Sequence, residues 1–365
     1  MGFKCGLVGL PNVGKSTLFT ALSSLPVERA KYPFATVEPN RAIVPVKDER
    51  LSKVAALVSS AEVTPATLII VDIAGLIEGA SRGEGLGNRF LAHIREMDLL
   101  LHVVRGFDAP DIPHMAGEPE PKQDIETVEL ELIFSDLSVL EKRLERVQRS
   151  VKGPAREAAA EKEFLEKMHD HLSTGKTARS MKITALEEKI LESLQLLTAK
   201  PVVYVVNIDE KDITKEEPAA VKTVQALARA EGAPVISICA SLEGELEEME
   251  EEDKILFLQE YGLEETSLNR LIKVGYDYLQ LITYFTIKGQ EARAWAVPKG
   301  TTARRGAGEV HSDMEKGFIA AEVINWRELL EVGSVTSAKE KGILRLEGRD
   351  YLIRDGDVIY FRFKV

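Results

Sequence analysis

The sequence predicts an α/β fold, in which a doubly wound, mostly parallel sheet is interrupted by a helical insertion and followed by a small α+β domain. Three observations support this prediction. Short apolar runs alternate with helical patterns in two separate parts of the chain. The interval between these parts carries helical patterns without a strand signal. The C-terminal part changes to short, alternating strands.

Short apolar runs predict the strands of the first sheet. Helical patterns separate most of them, and strands that alternate with helices are typical of a mostly parallel, doubly wound sheet. The predicted strands cover 3–8, 67–73, 99–105, 202–206 and 234–238, and the predicted helices cover 15–24, 85–97 and 219–231.

The interval 124–198 contains long heptad-like stretches and no strand signal. A break at Lys152, Gly153 and Pro154 predicts that two helices meet there as an antiparallel pair. The high charge density leaves only a narrow apolar seam, which favours a projecting coiled-coil arm. The alternative is a set of additional helices packed on the main core.

The C-terminal part begins at about residue 278 and predicts a separate, mixed α+β domain. Short runs alternate there as strands do, and the stretch 306–323 has a helical pattern. We therefore divide the chain into a sheet domain in two parts, 1–123 and 201–277. The insertion covers 124–200, and the C-terminal domain covers 278–365.

The composition is that of an ordinary globular protein, with 44% apolar and 29% charged residues. No apolar stretch approaches the roughly 20 residues that cross a bilayer. The N-terminus runs directly into a glycine-rich motif, where a cleaved signal does not fit. Cys5 and Cys239 are too few for a disulfide framework. We expect a cytoplasmic protein without a membrane partner.

The net charge of −12 argues against a DNA partner. The negative charge is unevenly distributed, because Lys and Arg slightly outnumber Asp and Glu in 140–200 and in 278–365. An RNA-rich partner is therefore compatible with these two regions.

A phosphate loop is the strongest motif in the chain. The run from Gly9 to Ser16 matches GxxxxGK[ST], follows a predicted strand and opens a predicted helix. Backbone N–H groups and the helix N-terminus would surround phosphate oxygens, and Lys15 would neutralise the β- and γ-phosphates. We expect the nucleotide to contact Gly9, Asn12, Val13, Gly14, Lys15, Ser16 and Thr17.

A magnesium site is predicted beside this loop. Asp72 ends an apolar strand and begins a DxxG motif, as a Walker B aspartate does. The amide of Gly75 would contact the γ-phosphate. Thr36 lies in the polar linker between the two motifs and would close over Mg²⁺ when a triphosphate is bound. The predicted Mg²⁺ ligands are Ser16, Thr36 and Asp72.

The base-reading motif departs from the NKxD of GTP-binding proteins and reads NIDE at 207–210. Glu210 occupies the aspartate position, and Ile208 replaces the lysine that covers the base. Both changes weaken guanine recognition, although a one-residue shift would bring Asp209 into position and leaves GTP open. The amide of Asn207 would bind a purine edge. The backbone amides expected to flank the base belong to Cys239 and Ala240.

Hydrolysis needs a group that orients water, and the usual glutamine after DxxG is Leu76 here. His114, in the loop DAPDIPHMAGE, is the candidate, because an imidazole orients water or accepts a proton near neutral pH. A lone histidine in a loop is more often a bystander. Asn12 would support a K⁺ ion at the phosphates. The predicted catalytic groups are His114, Lys15 and Gly75.

The motifs together resemble the Obg-like ATPase (YchF) family over essentially the whole chain. The matching segments are GLPNVGKST, YPFATVEPN, DIAGLIEGASRGEGLGNRFL, NIDE and GDVIYFRFKV. The resemblance implies a Ras-like domain interrupted by a coiled-coil arm and followed by a TGS domain of β-grasp shape. It also implies that ATP is preferred through NxxE, that Ile208 contacts the base and that the histidine at position 114 is catalytic.

Relatives in this family associate with ribosomes and are linked to translation and stress responses. Our leading hypothesis is an ATPase whose nucleotide state changes a ribosome-binding surface on the arm and the TGS domain, facing rRNA and ribosomal proteins. A second hypothesis is a GTPase in ribosome assembly that selects guanine through Asp209. A third is a nucleotide-gated scaffold with incidental hydrolysis.

Overall fold

Two six-stranded sheets organise the part of the chain that the computed structural model describes. This part covers residues 2–26, 40–73, 85–114, 117–149, 155–213 and 217–364. The strands are β1 Phe3–Val8, β2 Arg41–Pro45, β3 Glu62–Thr64, β4 Thr67–Asp72, β5 Leu99–Arg105, β6 Val202–Asn207, β7 Val235–Ile238, β8 Leu281–Lys288, β9 Glu291–Pro298, β10 Phe318–Asn325, β11 Arg345–Glu347 and β12 Asp357–Phe363.

Helices precede and follow these strands along the chain. They are α1 Lys15–Ser24, α2 Glu49–Leu57, α3 Gly85–Arg95, α4 Pro121–Arg149, α5 Ala155–Ser173, α6 Ala185–Leu194, α7 Ala219–Ala228, α8 Ala240–Glu248, α9 Glu251–Glu260, α10 Ser267–Tyr278, α11 Ala303–Val310, α12 Ser312–Lys316, α13 Trp326–Val332 and α14 Val335–Glu340.

The first sheet has the strand order β2-β4-β1-β5-β6-β7. Its pairs are parallel except for β2, which runs antiparallel to β4. Every residue of β5 and β6 is buried, as expected for strands covered by helices on both faces. The predicted doubly wound, mostly parallel sheet is confirmed. The carboxyl ends of its parallel strands share one edge, and this edge carries the predicted motifs.

The helical insertion combines both of the arrangements considered from the sequence. The first turns of α4 pack on the main core through Ile125, Val128 and Leu132. Farther along, Ile133 and Leu140 join a separate apolar cluster with side chains of α5. Ion pairs link Arg143 to Glu161 and Glu141 to His169, so the two helices run antiparallel. The end of the arm near the start of α4 is therefore part of the main core, and the rest of the arm has a separate apolar core.

A buried cluster of charges attaches the insertion to the first sheet. Arg179, which follows α5, pairs with Glu129 of α4 and with Glu231 beyond α7, and its Nε lies 2.8 Å from Glu231. The hydroxyl of Tyr204 in β6 lies within hydrogen-bond distance of both carboxylates, at 2.9 and 3.1 Å, and donates its one proton between them. Burial raises the pKa of Glu129, and the positive charge of Arg179 opposes this shift. The arm is thus held by one cation shared between two carboxylates.

The second sheet has the order β11-β10-β12-β8-β9-β3 and includes a strand from the N-terminal part of the chain. This strand, β3, runs parallel to β9, with Glu62 opposite Glu291 and Thr64 opposite Arg293. An ion pair between Arg50 of α2 and Asp355 reinforces the attachment. The sequence analysis did not predict β3. The segment between β2 and β4 therefore connects the two sheets.

The predicted helical stretch of the C-terminal part is confirmed in its first part and wrong in its last part. The helical pattern over 306–323 becomes α11, α12 and then the strand β10, which begins at Phe318. β10 pairs with β12 from Phe318 to Asn325. Ladder pairing on a central strand overrides the weak helical preference of the Ile319–Glu322 segment. In the part of the chain that the structure describes, no helix is both long and apolar enough to span a membrane.

The charge cluster predicts a difference between two arginine substitutions. Arg179→Met leaves Glu129 and Glu231 buried without their cation, so the free energy of unfolding should fall by about 3–5 kcal/mol. Arg143→Met removes the partly exposed pair with Glu161 and should cost less than about 1 kcal/mol. Urea denaturation followed by circular dichroism measures both. Equal losses in the two variants would contradict this account of how the arm is attached.

Candidate nucleotide-binding site

The phosphate loop connects β1 to α1 in a conformation that requires glycine. Gly9 and Gly14 have φ of 146° and 96°. A Cβ at Gly9 would lie 2.4 Å from the carbonyl oxygen of Val103, and one at Gly14 would lie 2.2 Å from Nδ2 of Asn207. Helix α1 begins without a side-chain cap, so its first N–H groups face the pocket as donors for phosphate.

Lys15 is buried within the loop that it serves. Its Nζ donates to the carbonyl oxygens of Gly9 at 2.9 Å and Leu10 at 2.6 Å. Burial lowers the pKa of Lys15 to about 8, and Asp72 opposes this shift. Burial in turn raises the pKa of Asp72, against the influence of Lys15. The structure thus brings the predicted phosphate-binding cation and the predicted Walker B aspartate together.

The oxygen donors expected for a magnesium ion are partly placed by the structure. Ser16 lies in the first turn of α1, where it is exposed and lines the pocket. Asp72 ends β4, the neighbour of β1. A hydroxyl and a carboxylate fit a hard divalent cation, which prefers oxygen ligands. The remaining groups predicted to surround the γ-phosphate, Thr36, Gly75 and Leu76, lie outside the described residues.

A pocket of about 580 Å³ extends from the phosphate loop to the NIDE segment. Two of its residues, Phe107 and Ile112, were missed by the sequence analysis. Their only signal was their position in the loop that follows β5 at the same sheet edge. The lining residues are Asn12, Gly14, Lys15, Ser16, Thr17, Phe107, Ile112, Asn207, Ile208, Asp209, Glu210, Ala240 and Ser241.

Asn207 joins the two ends of the pocket. Its Nδ2 donates to the carbonyl oxygen of Val13 at 3.1 Å, and its Oδ1 accepts from the N–H of Ala240 at 3.0 Å. The sequence analysis gave this side chain to the purine edge, whereas the structure engages both ends of the amide within the protein. The predicted amide of Ala240 is engaged in the same contact, and Cys239 is the buried residue that precedes α8.

The three residues that follow Asn207 differ in their environments. Ile208 is buried, and its N–H donates to Ile238 at 2.8 Å. Asp209 accepts from the N–H of Asp108 at 3.2 Å and pairs with Lys211 at 3.0 Å. Glu210 is exposed at the pocket and accepts a 3.2 Å hydrogen bond from the hydroxyl of Tyr261. Both acidic side chains line the pocket, but only Asp209 has an ion pair among the residues that the structure describes.

His114 lies next to the phosphate loop with its imidazole turned towards α4. Its side chain is 1% exposed, and Nε2 lies 3.0 Å from Oδ2 of Asp124. Burial raises the pKa of Asp124, while the hydrogen bond from His114 opposes this shift. The preceding carbonyl, that of Pro113, accepts from Nδ2 of Asn12 at 3.1 Å. His114 is thus not one of the described residues that line the pocket.

Comparisons with known proteins cover the chain from end to end. Residues 4–144 match a family model described as a 50S ribosome-binding GTPase, and residues 281–364 match the YchF-GTPase_C family, described as a protein of unknown function. The chain is 47% identical over 365 residues to the "Ribosome-binding ATPase YchF" of Haemophilus influenzae, with 100% of both chains covered. It is 46% identical over 368 residues to the protein of that name from Bacillus subtilis, again with 100% of both covered.

A solved structure agrees with these sequence matches. The Schizosaccharomyces pombe YchF GTPase superposes with a TM-score of 0.88 at 34% identity, covering 99% of this chain and 98% of that one. The resemblance stated from the sequence motifs is confirmed, together with the α/β fold and its added C-terminal domain. The phosphate loop, the pocket beside it and the full-length relatives agree. This chain belongs to the YchF family of P-loop nucleoside triphosphatases.

Proposed function

We propose that this protein is a Mg²⁺-dependent ATPase that binds ribosomes in a manner controlled by its nucleotide, in translation or the stress response, and that it acts in the cytoplasm. The observation that carries the proposal is the base end of the pocket, which Asp209 and Glu210 both line. Asp209 already binds Asp108 and Lys211, whereas Glu210 accepts from the hydroxyl of Tyr261. The bacterial relatives are named ribosome-binding ATPases, which supports the same activity.

The choice of base follows from donors and acceptors. Guanine presents N1–H and a 2-amino group to a carboxylate, whereas adenine presents an acceptor at N1 and a single 6-amino donor. Tyr261 donates to one oxygen of Glu210, and the other oxygen can accept the 6-amino group of adenine. Ile208 supplies an apolar surface where GTP-binding proteins carry lysine. Both features favour adenine.

The phosphates would be bound by groups that already converge on the loop. Lys15 would exchange the carbonyls of Gly9 and Leu10 for the β- and γ-phosphates, since a charged acceptor binds an ammonium more strongly than a neutral carbonyl. The uncapped N–H groups of α1 would bind the remaining oxygens. A Mg²⁺ held by Ser16, Asp72 and Thr36 would neutralise charge on the triphosphate. Asn12 would support a K⁺ ion beside it.

His114 would orient the attacking water. Its imidazole must turn from Asp124 towards the γ-phosphate, and Asp124 would hold it in place until then. The bond between Asn12 and Pro113 keeps this histidine beside the phosphate loop. The nucleotide state would reach the C-terminal TGS domain through α2 and β3, which follow the Thr36 segment and join the second sheet. The arm and the TGS domain would contact rRNA and ribosomal proteins.

A GTPase acting in ribosome assembly is the second candidate. The family description for residues 4–144 and the yeast structure both carry the word GTPase. This hypothesis requires Asp209 to leave its partners and bind guanine. Competition between ATP and GTP for the same pocket distinguishes it from the ATPase hypothesis.

Nucleotide selection is the first prediction. Unlabelled ATP should displace a fluorescent ATP analogue at a lower concentration than GTP does. The double substitution Ile208→Lys with Glu210→Asp restores NKxD and should shift the ratio of affinities towards GTP by ~10-fold or more, because it supplies the guanine acceptor at its usual distance. Asp209→Ala serves as the control. If Asp209→Ala abolishes GTP binding and the double substitution changes nothing, the assignment to ATP is wrong.

The second prediction concerns turnover. His114→Ala should lower kcat for ATP by ~10²-fold while leaving the Kd for ATP within a few-fold, since the side chain acts on water and not on the ground state. His311→Ala, at an exposed position in the C-terminal domain, is the matched control and should not change either value. Phosphate release under single-turnover conditions gives the rate. A wild-type rate in His114→Ala removes this histidine from the mechanism.

The third prediction concerns the ribosome. Sedimentation with ribosomes should differ several-fold between the ADP form and the form bound to a non-hydrolysable ATP analogue, because the contacts predicted for Thr36 and Gly75 require a γ-phosphate. Lys15→Ala, which lacks the phosphate cation, should sediment equally in both conditions. Identical sedimentation of the wild-type protein in all nucleotide states would contradict the proposal that the nucleotide controls ribosome binding.

A further inference from the structure

Arg105 is a buried cation between the two ends of the nucleotide pocket. It is the last residue of β5, lies opposite Asn207 in the register of β6, and is 2% exposed. A charged side chain in such a place needs several partners to offset its desolvation. Its hydrogen bonds among the described residues go to backbone carbonyl oxygens of a single loop, 107–114, and its charge also stabilises the carboxylate of Asp124.

Each nitrogen of the guanidinium binds a different point of this loop. Nε donates to the carbonyl of Phe107 at 3.3 Å, Nη2 to that of Ala109 at 2.8 Å, and Nη1 to that of Ile112 at 3.0 Å. The guanidinium also lies 4.6 Å from the centre of the Phe107 ring. A planar fork with donors in fixed directions therefore defines the path of the loop from its first residue to its sixth.

The loop held in this way connects the base to the phosphates. Phe107 and Ile112 line the pocket. At one end, the N–H of Asp108 donates to Asp209 of the base-reading segment, at 3.2 Å. At the other, Pro113 accepts from Asn12 of the phosphate loop, and His114 follows. Arg105 itself is not among the described lining residues, so its effect on the nucleotide passes through this loop and through Asp124, the partner of His114.

We propose that Arg105 is a positioning residue for nucleotide hydrolysis, because its guanidinium holds loop 107–114 so that Phe107 lies at the base end and His114 at the phosphate end together. The proposal rests on the function proposed above, in which His114 orients water. Arg105 then has two separable effects. Through Phe107 it sets nucleotide affinity, and through His114 it sets the rate of turnover.

Arg105→Lys tests this with the charge preserved. Lysine has one nitrogen and cannot reach three carbonyls that lie in different directions. We expect kcat to fall by ~10–100-fold, as expected when a catalytic group is misplaced by about 1 Å. The Kd for ATP should rise a few-fold. Arg143→Lys, a conservative change on the exposed arm, is the control and should leave both values unchanged.

A double-mutant cycle separates positioning from a general structural effect. In a His114→Ala background, Arg105→Lys should no longer lower the single-turnover rate, because the group that it positions is gone, but it should still raise the Kd. An equal loss of rate in both backgrounds overturns the proposal. So does a wild-type rate in Arg105→Lys when His114→Ala alone is slow.

The failure of the proposed function is visible separately. A wild-type rate in His114→Ala rejects the role of that histidine whatever Arg105 does, and an unchanged Kd in Arg105→Lys then rejects the remaining effect through Phe107. If Arg105→Lys does not fold, Arg105→Ala is measured with and without guanidinium ions at non-denaturing concentration. Recovery of turnover supports the proposal. A folded Arg105→Ala protein that gains nothing from the added ion contradicts it.

Discussion

The nucleotide site depends on one residue, Asn207, at the carboxyl end of β6. Its side-chain amide binds the phosphate loop at Val13 on one side and the start of α8 at Ala240 on the other. Its backbone carbonyl accepts from the N–H of Gly106 at 2.7 Å, where the loop after β5 begins. Three loops from different parts of the chain thus meet at a single residue. The absence of a side chain at Gly14 is what permits this close approach.

Features encoded within a short stretch of chain could be predicted from the sequence. The strand and helix on either side of the phosphate loop match the expected bounds, 3–8 and 15–24, because the apolar run, the glycines and the helix start lie next to each other. The parallel sheet followed from the regular alternation of such units. The loop that carries His114 follows β5, as the sequence indicates, but the contact of this imidazole with Asp124 depends on how α4 packs, which periodicity does not report.

Features that depend on pairing between distant segments were missed. Strand β3 is only three residues long and exists because β9 offers it an edge. Strand β10 carries a helical pattern and becomes a strand because β12 lies beside it. Tyr261, which follows α9, reaches Glu210, and Phe107 reaches the pocket from a loop, and both positions are set by tertiary packing. No local preference identifies such residues, since their neighbours in space are far away in sequence.

The contribution of β3 to the second sheet has a consequence for how the chain is assembled. Glu62 to Thr64 are synthesised long before Glu291 to Arg293, with which they pair. The edge strand of the second sheet can therefore pair only after the whole nucleotide-binding domain and the arm have been synthesised. Such long-range parallel pairing forms slowly. A C-terminal domain produced alone would expose β9 as an open edge, which invites association with other chains. The two sheets are therefore one unit of biosynthesis, and one apolar core joins them, because it includes Phe285 and Val358 of the second sheet beside residues of the first.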